Sequence, residues 1–347
     1  MKPTIGKWRG LERISDGQGR FLMLAADQRP PIKNVIARFF PDGSAPYDEV
    51  ARFKRLLVQA LQARASAVLL DPYYCLSGAL HALDPGKGLV MTLEDSQFQE
   101  TAGGRLSSVI DGWSVGKIKR MGADAVKVLA WYRPDAESQV IEHQRNFVRR
   151  IGDECRRFDI PYLLELLVYP LPGEAEAGKG YEEMSGKKTD HVLDSVREFA
   201  DPSYGVDIFK LECPIASKQF PARGAPGSSQ ALALFEEINR IVDRPWVMLS
   251  AGASAEDFYN VLEHACRAGA CGFLAGRAIW QQAFSAYPDW TSVQEGLQRD
   301  ALAYLERLCA LTESTASGQS TQQAVSTQQS RLAALKGLAP REYGEAQ

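Results

Sequence analysis

The sequence predicts an α/β protein of the (β/α)8 TIM-barrel class, built as a single domain. Eight short apolar runs of strand type recur along the chain, and helical patterns lie between most of them. Each run is continuous rather than alternating in polarity, as expected for strands that are buried on both faces. Strands that alternate with helices pair in parallel through right-handed crossovers, and eight strands close this barrel.

The predicted elements follow one another in a regular order. Helical stretches at 47–65 and 135–158 carry apolar residues at a 3.6-residue period, which marks one buried face on each. In the seventh connection, Ser254 and Asp257 have the spacing of a capping box, which predicts a helix start there. The eight predicted strands cover residues 21–27, 66–71, 88–94, 123–131, 161–168, 206–213, 245–250 and 270–276.

A doubly wound open sheet is the alternative arrangement of these elements. Sheets of that kind usually carry a glycine-rich nucleotide loop after the first strand. Here the first strand is followed by Gln28, Arg29 and two prolines. Because this segment cannot form such a loop, the closed barrel is favoured.

Two regions fall outside the repeating pattern. The glycine-rich, charged loop 170–188 follows a strand end, where barrels often carry a substrate lid. The Ser/Thr/Gln-rich segment 312–329 is typical of a linker or a disordered tail, and 331–338 could add a short terminal helix. We therefore expect a barrel domain at 1–311 and a low-complexity tail at 312–347.

The composition excludes several classes of partner. The chain has 347 residues with 40 Lys+Arg against 43 Asp+Glu, so its net charge is −3. This balance offers no basic field for nucleic acid and no polybasic patch for a membrane surface. No apolar run approaches the roughly 20 residues of a spanning helix, and the N-terminus lacks the apolar stretch of a signal peptide. We expect a cytoplasmic protein whose partner is a small molecule, and a homo-oligomer is left open.

The cysteine and histidine patterns argue against a metal site. The six cysteines form no Cys-x-x-Cys pair, and most lie in apolar or helical patterns, as buried thiols do. A catalytic zinc site of the usual kind needs several histidine ligands at strand ends, and none of the four histidines caps a strand, so we expect no metal and no other cofactor. The four histidines instead fall in helical patterns or connections; they are His81, His143, His191 and His264.

Three charged residues stand inside otherwise apolar strands: Lys127, Glu165 and Lys210. Charged side chains are rarely buried unless they are paired. Alternation along the sixth predicted strand puts Lys210 on the same face as Ile208 and opposite Phe209. A lysine buried near a second cation has a depressed pKa, and its neutral amine can attack a ketone to form a Schiff base.

In this interpretation Lys127 is the neighbouring cation. Glu165, with a pKa raised by burial, would move the protons that carbinolamine formation and dehydration require. The alternative is a buried Lys–Glu ion pair without any catalytic role, because such pairs also occur in proteins that are not enzymes.

The ends of the last two predicted strands favour a phosphate site. Ser250 and Gly252 follow the seventh strand, and Gly276 and Arg277 follow the eighth. Phosphate usually binds at this place in such barrels, where backbone N–H groups and a short following helix point at the anion. Arg277 adds a planar fork of donors for an oxyanion. The alternative is a pair of ordinary glycine-rich turns.

Seven motifs give the chain a resemblance to a known family. It resembles the class I tagatose-1,6-bisphosphate aldolases and the related sulfofructose-phosphate aldolases. The resemblance implies a (β/α)8 fold and metal-free cleavage of a ketose phosphate into dihydroxyacetone phosphate and an aldehyde. In unbroken order, the motifs are AADQR at 25–29, LLDP at 69–72, GADAVK at 122–127, PYLLE at 161–165, VDIFKLE at 206–212, LSAG at 249–252 and AGRAIW at 275–280.

The resemblance also implies roles for single residues. Lys210 stands at the position of the family's Schiff-base lysine. Lys127 and Glu165 stand at the positions of its catalytic lysine and its proton-shuttling glutamate. Asp27 and Gln28 match the residues after the first strand that hold the sugar hydroxyls.

The departures from the family pattern concern the substrate. Trp131 and Tyr132 stand where the tagatose enzymes commonly have two tyrosines, and the loop 94–106 is longer and more polar than expected. We place Arg29 and the loop 170–188 at the end of the sugar remote from the Schiff base. Tagatose 1,6-bisphosphate is the first candidate substrate, and a sulfofructose phosphate or another modified ketose phosphate is the second.

Two other functions stay open. One is a catalytically silent barrel that binds a sugar phosphate and regulates a partner protein. The other is a Schiff-base isomerase or a different lyase on the same fold. A pure binding protein gains little from three buried charges, so Lys127, Glu165 and Lys210 together favour an enzyme.

Overall fold

The computed structural model describes residues 4–174, 183–184, 186–318, 321–322 and 326. The strands in this part of the chain are β1 (Phe21–Ala25), β2 (Ala67–Leu70), β3 (Gly88–Thr92), β4 (Gln99–Thr101), β5 (Gly104–Leu106), β6 (Ala125–Trp131), β7 (Tyr162–Leu167), β8 (Ile208–Leu211), β9 (Trp246–Met248) and β10 (Gly272–Ala275).

Eight of these strands close a parallel barrel. Their order is β1-β2-β3-β6-β7-β8-β9-β10, and β10 pairs with β1, whereas β4 and β5 form a separate antiparallel hairpin. Each barrel strand lies within one of the eight predicted ranges, so the predicted (β/α)8 class is confirmed. The observed strands are shorter than predicted. Buried residues continue past the strand ends, as Ala26 does after β1, so a run of apolar residues overestimates the length of the strand.

Helices surround the barrel, and the two long stretches predicted from periodicity both contain one. The helices are α1 (Ile5–Ile14), α2 (Pro30–Ile36), α3 (Tyr47–Leu61), α4 (Leu80–Ala82), α5 (Val115–Arg120), α6 (Ser138–Arg157), α7 (Thr189–Phe199), α8 (Ser228–Ile241), α9 (Ala255–Ala268), α10 (Arg277–Phe284), α11 (Trp290–Gly296) and α12 (Leu302–Thr315). The hydroxyl of Ser254 accepts the Asp257 N–H at the start of α9, as the capping pattern predicted.

Alternation along the strands sorts their side chains into two sets. Phe209 and Leu211 of β8 belong to the outer core against the helices, whereas Ile208 belongs to the core inside the barrel. Helix α1 contributes Leu11 and Ile14 to this inner core. Cys271, just before β10, also belongs to it, and the strands supply the other members: Phe21, Met23, Ala25, Ala67, Leu69, Val90, Ala125, Leu163, Ile208, Val247 and Leu274.

A charged layer follows this inner apolar layer. Two residues further along β6, β7 and β8, the inward face carries Lys127, Glu165 and Lys210. Beyond them the same face is apolar again, with Leu129 and Leu167. The barrel therefore encloses a polar level between two apolar levels, at the carboxyl ends of its strands.

Two regions differ from their predicted form. The polar loop 94–106 contains the hairpin β4–β5, whose strands are only three residues each. Helix α12 continues to Thr315, past the predicted start of the tail, and Thr312 is fully buried there. The linker prediction is thus wrong for these first tail residues, because apolar packing continues the helix.

Parts of two predictions lie outside the described residues. Residues 175–182 and 185 of the predicted lid, and the predicted terminal helix at 331–338, belong to this group. In the described part of the chain, no helix combines the length and apolarity needed to cross a membrane. All six cysteines are buried.

Candidate active site

The register of the barrel brings the predicted catalytic residues together. Glu165 on β7 pairs directly with Lys210 on β8, so the two side chains are neighbours on the inward face. The Nζ of Lys210 lies 2.9 Å from Oε2 of Glu165, and the Nζ of Lys127 lies 2.9 Å from the same oxygen. One carboxylate oxygen thus joins both predicted lysines.

Lys127 is also bound by two further carboxylates. Its Nζ lies 3.1 Å from Oδ2 of Asp27, and it donates a hydrogen bond to Oε1 of Glu94. Thr92 donates its hydroxyl to the same oxygen of Asp27 at 3.1 Å. All four of these residues are at most 7% exposed, so the cluster is shielded from solvent.

The electrostatic balance of this cluster keeps Lys127 charged. Burial acts to lower the pKa of Lys127, but Asp27, Glu165 and Glu94 raise it well above its ordinary value. Burial likewise acts to raise the pKa of Asp27, but Lys127 and Lys210 hold it below its ordinary value. Asp27 is therefore ionised at neutral pH.

Glu165 departs from its predicted electrostatics. Burial does act to raise its pKa, as expected, but Lys127 and Lys210 outweigh that effect and lower the pKa below its ordinary value. The prediction of a raised pKa is therefore wrong, because it took account of burial without the two adjacent cations. Glu165 is present as a carboxylate that can accept a proton.

Glu94 is a site residue that the sequence analysis did not select. Burial, helped by Asp27, raises its pKa in spite of Lys127, and its Oε2 has no hydrogen-bond partner among the described residues. It lines the same pocket as the predicted residues. Glu94 lies four residues after Val90, which faces the inside of the barrel, so alternation along the strand puts Glu94 on the same inward side. This spacing is the signal that could have identified it.

Three of the four predicted phosphate residues line this pocket. Ser250, Gly276 and Arg277 face it together with Lys210, and α10 begins at Arg277. Gly252 instead supports Arg277: its φ is +84°, and a Cβ there would lie 3.0 Å from Nη1 of Arg277. The absence of a side chain at this glycine leaves room for the guanidinium.

The residues that follow β1 form the neighbouring part of the wall, because β1 pairs with β10. Arg29 is 5% exposed, and its Nη2 donates to the Glu94 carbonyl at 3.0 Å. Its Nε and Nη1, like Oε1 of Gln28, have no hydrogen-bond partner within the described ranges. Buried donors of this kind are suited to an oxyanion ligand.

An apolar wall completes the pocket, whose open space is about 630 Å³ when the solvent in its mouth is included. Leu129, Leu167 and Leu249 line it, and Trp131 belongs to the same apolar cluster. The guanidinium of Arg105, from the hairpin β4–β5, lies 4.7 Å from the Trp131 ring centroid. The hairpin and the tryptophan are therefore in contact with each other.

No group of three or more His, Cys, Asp or Glu residues in the described part of the chain is arranged to hold a metal ion. Asp27, Glu94 and Glu165 do converge, but they converge on the Nζ of Lys127. The ammonium group thus occupies the centre of this carboxylate cluster.

Comparison with known proteins identifies relatives over most of the chain. A family model described as DeoC/LacD family aldolase matches residues 21–282. Tagatose 1,6-diphosphate aldolase of Listeria monocytogenes is 35% identical over 290 residues, which cover 82% of this chain and 84% of that protein. Tagatose 1,6-diphosphate aldolase 2 of Enterococcus faecalis is 32% identical over 322 residues, which cover 90% of this chain and 96% of that protein.

Solved structures of more distant proteins share the fold. A Schiff-base-forming fructose-1,6-bisphosphate aldolase aligns with a TM-score of 0.55 at 19% identity, covering 88% of this chain and 99% of that chain. Fructose-bisphosphate aldolase from Plasmodium falciparum aligns with a TM-score of 0.65 at 13% identity, covering 91% of this chain and 97% of that chain. At these identities the likeness extends to the barrel fold.

Proposed function

Because the chain belongs to the DeoC/LacD family of aldolases, we propose that it is a class I aldolase that cleaves a ketose phosphate through a Schiff base on Lys210. The observation that carries this proposal is the shared Oε2 of Glu165, which lies 2.9 Å from Lys210 and from Lys127. A nucleophilic lysine needs an adjacent base that takes its proton. Because Lys127 stays charged, Lys210 is the lysine that can act as the nucleophile, and Lys127 acts as the cation.

Schiff-base formation uses Lys210 and Glu165. After giving a proton to Glu165, the Nζ of Lys210 attacks the C2 carbonyl of the ketose, and the carbonyl oxygen takes up a proton that the attacking nitrogen gives up, which yields the carbinolamine. Glu165 then protonates the departing hydroxyl, water leaves, and the C2=N bond forms. Lys127 stays charged and stabilises the oxygen on which negative charge develops.

Cleavage follows from the same geometry. The protonated Schiff base withdraws the electron pair of the C3–C4 bond, while the C4 hydroxyl gives its proton to the Glu165 carboxylate and C4 becomes the aldehyde carbon. Ionised Asp27, 3.1 Å from Lys127, accepts a hydrogen bond from a sugar hydroxyl near this bond. Glu165 then returns this proton to C3, and hydrolysis of the imine by water releases dihydroxyacetone phosphate and restores Lys210.

Tagatose 1,6-bisphosphate is the first candidate substrate, since the named relatives are tagatose 1,6-diphosphate aldolases. We assign its C1 phosphate to Ser250, Gly276 and Arg277, because the strands that precede them follow the strand of Lys210 around the barrel. We assign its distal phosphate to Arg29. A sulfofructose 1-phosphate is the second candidate, because a sulfonate uses the same donors.

The compartment and partners follow from this substrate. A sugar phosphate carries charges that do not cross an apolar bilayer, so we place the reaction in the cytoplasm, where the substrate would be formed. The net charge of −3 supports a small-molecule partner rather than nucleic acid. The assignment requires no metal and no other cofactor.

The proposal is tested by incubating the full chain with tagatose 1,6-bisphosphate, fructose 1,6-bisphosphate and sulfofructose 1-phosphate, and measuring release of dihydroxyacetone phosphate. We expect release from at least one of them, unchanged after dialysis against EDTA and absent in Lys210→Arg. Binding without release would instead support the catalytically silent barrel. Activity that is lost in EDTA and restored by zinc would contradict the Schiff-base mechanism.

A further inference from the structure

The loop that follows β9 contains a strained residue. Ala251 has a φ of +44°, in the left-handed region that residues other than glycine rarely adopt. It lines the pocket next to Ser250. We call residues 250–252 the oxyanion loop, and its strained backbone requires a partner that holds it in place.

Glu183 supplies that partner. Its backbone N–H donates to the Ala251 carbonyl at 3.1 Å, across from the loop that follows β7. Both oxygens of its carboxylate are engaged: Oε2 accepts the backbone N–H of Ser217 at 2.9 Å, and Oε1 accepts from Lys187 at 2.6 Å. A side chain fixed at both oxygens also fixes the backbone that contacts the oxyanion loop.

Lys187 connects this contact to the barrel. Its side chain is 0% exposed, and its Nζ lies 2.9 Å from Oε2 of Glu212, which follows β8 two residues after Lys210. The other oxygen of Glu212 accepts the N–H of Val168, just after β7, at 2.7 Å. The chain of contacts therefore runs from the ends of β7 and β8 to the oxyanion loop after β9.

We propose that Lys187, acting through Glu183, is a positioning residue that holds the oxyanion loop in the conformation that binds the C1 phosphate. This inference rests on the proposed function, since the phosphate belongs to the proposed substrate. Lys187 does not line the pocket, so it acts on phosphate affinity through the backbone of Ala251 rather than by contact.

The test is Lys187→Met, which keeps most of the length of the side chain and removes its charge. We expect KM for the ketose phosphate and Kd for dihydroxyacetone phosphate to rise together by roughly tenfold or more, the loss typical of a charged hydrogen bond. We expect kcat to stay within about threefold, because Lys210, Glu165 and Lys127 keep their contacts. An unchanged KM and Kd would overturn the proposal.

Lys7→Met is the matched control. Lys7 is also buried and lies 2.6 Å from Asp207, which precedes β8 at the opposite end of the barrel. This variant should lose thermal stability while KM and Kd stay at their wild-type values. If Lys7→Met raises both constants as much as Lys187→Met does, the effect is general destabilisation and the inference is wrong.

Two further variants keep the inference testable if Lys187→Met does not fold. Ser217→Ala removes the hydroxyl that donates to Glu183 and should raise Kd for dihydroxyacetone phosphate in the same direction. Ala251→Gly removes the steric cost of the left-handed backbone, so it should restore part of the affinity lost in Lys187→Met or Ser217→Ala. A loss that Ala251→Gly leaves unchanged would contradict an action through this backbone.

Failure of this inference and failure of the proposed function have different signatures. If the function is wrong, the wild-type chain releases no dihydroxyacetone phosphate from any ketose phosphate. If only the inference is wrong, the wild-type chain is active and Lys187→Met keeps its phosphate affinity.

Discussion

Lys210 and Lys127 place their Nζ atoms at the same distance, 2.9 Å, from one oxygen of Glu165. Within the described ranges, Lys127 contacts two more carboxylates, those of Asp27 and Glu94, whereas Lys210 contacts only Glu165. Removing a proton from Lys127 would leave three carboxylates around a neutral amine. The surroundings thus suit Lys127 to a permanent charge and Lys210 to proton exchange with Glu165.

Glu165→Gln should slow both Schiff-base formation and cleavage by roughly 10²–10⁴-fold, because the amide cannot accept the proton of Lys210. The rate of borohydride-trapped adduct formation with dihydroxyacetone phosphate measures the first step separately. Glu94→Gln is the comparison within the same cluster: Glu94 contacts Lys127 and not Lys210, so this variant should slow adduct formation far less than Glu165→Gln does. If Glu165→Gln forms the adduct at the wild-type rate, another group moves the proton.

Lys127→Met should shift the acid limb of the pH–rate profile to higher pH. Burial raises the pKa of Glu165, and Lys127 is the main cation that lowers it, so the Lys127→Met change leaves only Lys210 to oppose burial and the pKa rises. The ionised base is present above its pKa and lost as the pH falls through it, so activity should disappear at a higher pH than in the wild type. Lys7→Met should leave the acid limb at its wild-type pH. If the limb does not move in Lys127→Met, the acid limb does not report the ionisation of Glu165.

Arg277→Ala should raise KM for the ketose phosphate and weaken dihydroxyacetone phosphate binding in parallel, by about 1.5–3 kcal/mol. Discrimination among distal groups should stay nearly unchanged, because the proposed distal contact is Arg29. Arg29→Ala should show the opposite pattern, with a change in preference between distal phosphate and sulfonate. If the two patterns are exchanged, the sugar lies in the reverse direction in the pocket.

Gly252→Ala should weaken dihydroxyacetone phosphate binding, because the new Cβ would lie 3.0 Å from Nη1 of Arg277 and displace the guanidinium. Gly122→Ala is a close control: Gly122 has a φ of +89° against +84° at Gly252, and a Cβ there would meet nothing within 4 Å. Both variants should lose about 1–2 kcal/mol of unfolding free energy from the left-handed backbone. If the two variants bind dihydroxyacetone phosphate with equal Kd, the lack of a side chain at Gly252 is not what allows Arg277 to bind the phosphate.

The barrel and the identity of its charged residues could be predicted because both depend on local pattern. Continuous apolar runs marked the strands, and alternation put Lys210 on the inward face with Ile208, as the structure has it. Lys127 and Glu165 also stand inside apolar strands, and this position predicted that they belong to the site together with Lys210. The side chains that interrupt a buried strand are visible in the sequence alone.

What could not be predicted depends on distances between distant segments. The sign of the Glu165 pKa shift follows from two cations on neighbouring strands. The hairpin β4–β5 is too short and polar to show a strand pattern, and it packs through Arg105 on the ring of Trp131. Glu94 resembles any polar strand end until Lys127 is seen beside it.

The covalent lysine is tested most directly by incubating the full chain with dihydroxyacetone phosphate, reducing with borohydride and mapping the modified peptide by mass spectrometry. The reduced adduct should lie on Lys210 alone, and Lys210→Arg, which keeps the charge but lacks the nucleophilic amine, should carry none and show no turnover. An adduct on Lys127 or on any other lysine, or an active wild-type enzyme that gives no adduct, would contradict the assignment.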